Sequence, residues 1–379
     1  MKYKSNTSSS LVKRASIRAI SPIIALSMSI TLVINTFLYY SSRQVKVVFH
    51  LLAVLILLIV SSAYAGDGDY HDLGHQSDLV GGAGVAYNSY VSDNKKVVSS
   101  IAQLGEPLAA ITGGCTQVKN LLGSGTDPHL YRLSRADVLQ MHKANLVMNL
   151  GLHLELQMQP ILDDMSLFKD VHSVGDMIPA KRLLEVSPLV FDPHLWMDPL
   201  LWLNVITIAS HQVVKSYPEC KKTIIAGLKD YTKKIHDLDS DAQKAFQAIP
   251  AESKVLVTSH DAFGYFGKKY GIKVLAIQGI STDRQISIRR ISRLVDFLVE
   301  NKIEVVFVES SVNPRDMNAV IEGAANQGYK IDIGGTLYSD AMGASGAKEG
   351  TYIGMFKHNM RTILNAWNVE DHPFAAKEA

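Results

Sequence analysis

The tripeptide Asp-Pro-His occurs twice, at Asp127-Pro128-His129 and at Asp192-Pro193-His194. Proline fixes its own φ and biases the residue before it to extended backbone, so each copy restricts how its histidine is presented. Two loops that each aim one imidazole are what a metal site assembled from distant segments requires. Two more residues share this placement. His260 directly follows the apolar run 254–258, and Asp340 lies just past Ile331-Asp332-Ile333. All four fall in loops after runs that read as strands, where open α/β sheets place what they bind. Three neutral imidazoles and one carboxylate suit Zn²⁺, and the same set holds Mn²⁺ or Fe²⁺ if the carboxylate binds through both oxygens. Imidazoles bind metal only when neutral, so such a site should empty as pH falls through about 6.

The elements that must position these residues alternate from residue 95 onward. Short β-rich runs lie at 96–101, 116–122, 146–150, 169–173, 254–258, 273–277, 305–308 and 330–333. Amphipathic segments stand between them, among them 134–143, with Ser134 as N-cap, and 288–301. This alternation predicts parallel sheets built from βαβ units. The segment 219–248 differs. It has no internal proline, and it spaces Ile224, Ile225, Leu228, Tyr231, Ile235, Leu238, Ala242 and Phe246 near a helical period. A helix of that length spans about 45 Å. It divides the strands into two sets, so the expected fold is α/β: two lobes, each a mostly parallel sheet flanked by helices, joined by one long rigid helix. The expected division is 95–218, 219–248 and 249–379. A single stiff helix between lobes argues against large hinge closure.

The first 65 residues carry seven Lys/Arg and no Asp or Glu. The remaining residues hold 31 Lys/Arg against 36 Asp/Glu, which leaves no basic surface suited to nucleic acid. Two apolar runs, 19–40 and 47–60, lie in this leader. The second has basic Arg43 and Lys46 before it and Ala63-Tyr64-Ala65 after it, the layout of a secretory signal cleaved after Ala65. It is short for a membrane span of about 20 residues. An alternative translation start near Val45 is a further expectation. Residues 66–94 read as a flexible segment containing Asp67, Asp69, His71, Asp72 and His75, and Gly81-Gly82-Ala83-Gly84 there makes a poor phosphate loop. Neither Cys115 nor Cys220 sits where a lipid-attachment cysteine would, so a soluble periplasmic protein is expected. The two could form one disulfide or stay as buried thiols.

Six separated segments, in order, carry a family resemblance. They are Asp127-Pro128-His129-Leu130-Tyr131, residues Asn149 to Glu155 with Gly151 and His153, Asp192 to Asp198, Ser259 to Phe266, Phe307-Val308-Glu309-Ser310-Ser311, and Tyr338-Ser339-Asp340-Ala341. With Gly350 to Met355 and His358-Asn359 behind them, they resemble the TroA-like zinc/manganese-binding proteins of ABC importers over about 95–367. The resemblance implies two lobes on a rigid helix and one metal held between them by His129, His194, His260 and Asp340. It implies a monomeric, non-enzymatic protein that hands its ion to a membrane permease driven by a cytoplasmic ATPase. Manganese-associated members commonly have Glu where this chain has His260, and no His/Asp-rich loop lies between 123 and 188. Zinc and manganese therefore both fit, with softness favouring zinc.

The alternatives are an exported zinc metalloenzyme and a metal-stabilised adhesin. A catalytic zinc keeps a position open for water, whereas Asp340 supplies a fourth protein donor here. Among the other residues, His142, His172, His211 and His236 read as surface or capping groups, and His153 as a packing or hydrogen-bonding residue. Asp127 and Asp192 read as Asx-turn formers. Asp198 and Glu309 read either as acceptors that fix an imidazole tautomer or as caps and surface partners. Trp196, Trp202 and Phe263 read as core or cleft wall.

Overall fold

The computed structural model describes residues 95–247 and 249–375. The signal, the alternative start and the segment 66–94 with its His/Asp cluster lie outside the described residues. The first sheet is built from β1 (Lys96–Ser99), β2 (Gln117–Asn120), β3 (Leu146–Asn149) and β4 (Asp170–Ser173), all parallel, in the order β2-β1-β3-β4. β3 is buried along its whole length, as a strand covered on both faces must be. The chain steps from β1 out to β2 and then back past β1 to β3. That reversal is a switch point, where crevices open at the carboxyl ends of strands.

The crossovers are α1 (Ala102–Thr112), α2 (Arg135–Lys143) and α3 (Gln159–Ser166). Ser134 caps α2 as expected, in a reciprocal capping box with Asp137. α1 was not legible beforehand, because Pro107 sits inside it, where proline removes a hydrogen-bond donor. A short antiparallel hairpin follows, β5 (Glu185–Ser187) and β6 (Val190–Phe191), with Leu189 at positive φ in its turn. Then comes α4 (Pro199–Ser216), with Pro199 at its first position and Asp198 accepting from the N–H groups of Leu200 and Leu201.

The linking helix is α5 (Lys221–Gln247), about 40 Å long. A 3₁₀ turn at Pro218–Cys220 takes the place of its predicted first residues. Ile224, Tyr231, Ile235, Leu238, Ala242 and Phe246 form its buried stripe, while Ile225 falls on the exposed face. Gly227 lets α1 approach closely: a Cβ there would lie 2.2 Å from the Ile111 carbonyl oxygen. Next to this contact, Cys115 and Cys220 form a disulfide, which resolves the two alternatives for the cysteines.

After α5 come two parallel pairs. β7 (Val255–Thr258) pairs, across α6 (Gly264–Tyr270), with β8 (Lys273–Ala276). Beyond α7 (Ile288–Glu300), β9 (Val305–Glu309) pairs across α8 (Arg315–Asn326) with β10 (Asp332–Leu337). β10 runs through Gly334 and Gly335 with a shift in register, so it extends past the predicted 330–333. α9 (Tyr352–Ala366) closes the described fold. The larger apolar core spans both sides of α5. In it Phe246 of α5, Phe266 and Tyr270 of α6, and Phe356 of α9 pack as an aromatic cluster. A smaller core, with Val257, Leu298, Val306 and Val320, lies under α7 and α8. Among the described residues no helix is long and apolar enough to cross a membrane.

Candidate metal centre

The four residues singled out by spacing come together. His129 lies in the loop after β2, His194 after β6, His260 after β7 and Asp340 after β10. One donor atom from each lies within 4.8 Å of the others. All four are buried, with at most 2% exposure. The His194 Nε2 stands 3.4 Å from the His260 Nε2. Asp340 places Oδ1 3.2 Å from His194 Nε2, and Oδ2 3.1 Å from His260 Nε2 and 3.8 Å from His129 Nε2. A tetrahedral ion with bonds of about 2.0–2.1 Å needs donors about 3.3–3.4 Å apart, close to the His194–His260 spacing.

Carboxylates outside the cluster set the direction of two rings. Asp192 Oδ1 accepts the backbone N–H of His194 at 2.9 Å and contacts its ring Nδ1 at 2.7 Å. Glu309, at the end of β9, accepts the His260 backbone N–H at 2.8 Å through Oε1 and contacts the ring Nδ1 through Oε2. With Nδ1–H donated to a carboxylate, the lone pair of a neutral ring sits on Nε2 and faces the cluster. His129 differs. Asp127 Oδ1 accepts its backbone N–H at 2.8 Å, but Asp127 Oδ2 accepts from the Thr282 hydroxyl at 2.5 Å. Both ring nitrogens of His129 are buried without a hydrogen-bond partner. A buried unsatisfied group is costly, and a cation is a partner that would satisfy it.

The titration behaviour follows from these contacts. Burial pushes His129 down to about 4, against the opposing pull of Asp340. Burial acts in the same direction on His194, but Asp192 and Asp340 outweigh it and raise the ring to about 9. Burial is also overcome at His260, which Asp340 and Glu309 hold well above the usual imidazole range. For Asp340, burial is outweighed by His260 and His194, which keep its carboxyl well below the usual range. With no metal bound, protons on His194 and His260 thus balance the surrounding carboxylates. A metal that enters must displace them, so its affinity falls on acidification.

The sequence profile of the family described as zinc-uptake complex component A, periplasmic, matches residues 97–366. The chain belongs to this family. It is similar to the manganese-binding lipoprotein MntA of Bacillus subtilis, 41% identical over 272 residues, 72% of this chain and 89% of the relative. The zinc-binding protein TroA of Treponema pallidum is 35% identical over 270 residues, 71% of this chain and 88% of that protein. The solved structure of the periplasmic zinc-binding TroA superposes with a TM-score of 0.71, at 35% identity, covering 72% of this chain and 99% of that one.

Within this family fold, the remaining residues sort by contact. Asp198 caps α4 and touches no imidazole of the cluster, whereas Glu309 takes the tautomer-fixing place. Asp192 forms the expected Asx-turn and also holds the His194 ring, a role that its identical spacing to Asp127 did not reveal. His153 stands outside the cluster, exposed and at positive φ. His142, His172, His211 and His236 also stand apart from it. Trp196 does more than line a wall: its indole N–H donates to the Ser339 carbonyl at 2.8 Å. Gln103 donates to the Asp340 carbonyl at 2.8 Å, and Tyr265 to the Asp192 carbonyl at 2.8 Å. A Cβ on Gly264 would lie 2.7 Å from Asp192 Oδ2, so only glycine leaves that carboxylate its place. The partners of these four lie far off in the chain, so spacing gave no sign of these particular contacts.

Proposed function

We propose that this chain is the exported solute-binding protein of an ABC importer. It captures one divalent transition metal ion, zinc or manganese with iron also accommodated, through His129, His194, His260 and Asp340. It hands the ion to a membrane permease driven by a cytoplasmic ATPase. The observation that carries the reading is the buried cluster of three imidazoles and one carboxylate whose donors lie within 4.8 Å. Family membership and relatives named for manganese or zinc binding support it.

The signal pattern ending at Ala65 supports export, with a soluble, monomeric protein of residues 66–379 in the periplasm. In this reading the lobes are 95–218 and 249–379, joined by 219–248, and each supplies two donors. A fourth protein donor leaves no position for an activated water, which argues against a metalloenzyme. His260 in place of a carboxylate tilts the donor set toward zinc. The core shared across α5 favours local rearrangement over wide hinge opening when the ion leaves.

The test is elemental analysis of residues 66–379, stripped and re-equilibrated with competing buffered Zn²⁺, Mn²⁺ and Fe²⁺. One equivalent of zinc is expected. Manganese or iron retained against zinc would show that cleft geometry overrides donor softness, and no bound metal would overturn the reading.

A further inference from the structure

Two of the four donors are held to each other by a contact well outside the centre. His260 leads directly into α6, and His194 leads, four residues later, to Asp198 at the N-terminus of α4. Lys269, near the end of α6, places its ammonium 3.4 Å from Asp198 Oδ1. The same nitrogen lies 3.3 Å from Oδ1 of Asp239, in the middle of α5. Asp239 is only 3% exposed. Its other contacts are donated by the Tyr270 hydroxyl at 3.0 Å and the Gln243 amide at 2.8 Å. Asp198 in turn accepts the first free N–H groups of α4. One ammonium, with three donors, therefore ties together the segment after His194, the segment after His260 and the linking helix.

One turn earlier on α6, Tyr265 takes hold of the other end of the His194 loop. Its hydroxyl donates to the Asp192 carbonyl at 2.8 Å and accepts the Leu184 N–H at 3.0 Å. The helix thus grips that loop on both sides of His194, at residues 192 and 198. Phe266 and Tyr270 anchor the same helix against Phe246 of α5, so the grip has a rigid base.

We propose that Lys269 is a positioning residue for the metal centre, fixing the separation of the His194 and His260 segments and hence the spacing of their inward nitrogens. The inference rests on the metal-binding reading and deepens it. The 3.4 Å separation of the two Nε2 atoms, near a tetrahedral edge, is then a set property of the protein and not a consequence of the ion. Without Lys269 the helix holds that loop only at residue 192, and the two imidazoles spread. Tetrahedral preference weakens and the ion leaves faster.

The experiment uses Co²⁺ as a spectroscopic probe of coordination, together with the rate of Zn²⁺ loss to a chelator. Lys269→Met is expected to change the cobalt visible spectrum and to speed zinc loss by about tenfold or more, the scale on which outer partners of metal ligands act. Lys269→Arg should restore both. Leu298→Ala, in the smaller core, supplies a destabilised control that should lower Tm and leave both readouts at wild-type values. If Lys269→Met does not fold, the double variant Lys269→Met/Asp239→Asn removes the more buried of the two carboxylates left without the ammonium and should show the same spectral change and faster release. A lowered Tm with a wild-type cobalt spectrum and release rate, in either variant, would overturn the assignment of Lys269. Failure of the wild-type protein to bind cobalt or zinc would instead overturn the metal-binding reading on which it stands.

Discussion

The same tripeptide builds two different histidines in this protein. In Asp192-Pro193-His194 the aspartate accepts the backbone N–H and also holds the ring Nδ1. In Asp127-Pro128-His129 the aspartate accepts the backbone N–H through Oδ1 and the Thr282 hydroxyl through Oδ2, and the ring is left without a partner. Both rings are buried. Yet one is raised to about 9 and the other lowered to about 4. Burial sets the penalty for charge, and a carboxylate on the outer nitrogen decides whether the ring overcomes it. His260 falls with His194, braced by Glu309. The centre therefore has a braced pair that carries protons without metal and one unbraced ring that stays neutral.

The largest effect should come from removing a member of the braced pair. His260→Ala deletes a donor and leaves Glu309 and Asp340 without their partner. Calorimetric titration should show metal affinity falling by more than the roughly 100-fold that loss of an outer partner costs, with the fold intact by circular dichroism. An affinity equal to wild type would remove His260 from the donor set.

Acidity tests the pairing next. At pH 7 the metal displaces protons from His194 and His260 but none from His129, so about two protons should leave per ion bound. Each released proton makes affinity fall about tenfold per pH unit of acidification, and two make that about 100-fold. Titrations in two buffers of different ionisation enthalpy count the protons directly; a count of zero would mean that the braced pair is neutral. The metal-free protein should respond in the opposite sense. The stability contributed by the raised pKa of His194 is full below its ordinary 6.5 and is lost as pH rises through about 9.

The smallest effect separates the two tripeptides. Asp192→Asn removes the acceptor that orients His194 and should cost about 10–100-fold in affinity. Asp127→Asn keeps the turn and touches no ring, so competition against a chelator should show a loss of less than about tenfold. Equal losses would erase the distinction between braced and unbraced histidines.

The amino-acid sequence made the four donors legible because each follows an apolar run and needs only its own loop for placement. α5 was legible because Ile224, Tyr231, Ile235, Leu238 and Phe246 keep one period over most of its length. What escaped notice depends on contacts made across long separations. Asp192 braces a ring while Asp127 instead meets Thr282, 155 residues away, a difference that the shared tripeptide does not carry. The Cys115–Cys220 bond depends on α1 meeting the start of α5, and α1 itself was hidden by Pro107. β10 was cut short because Gly334 and Gly335 look like breakers until the shifted pairing with β9 accommodates them.

The most direct measurement is zinc K-edge X-ray absorption on the loaded protein. The account predicts three nitrogen donors and one oxygen at about 2.0–2.2 Å, unchanged by small coordinating anions that would replace a bound water. Two histidines with exchangeable water in the first coordination sphere would contradict it.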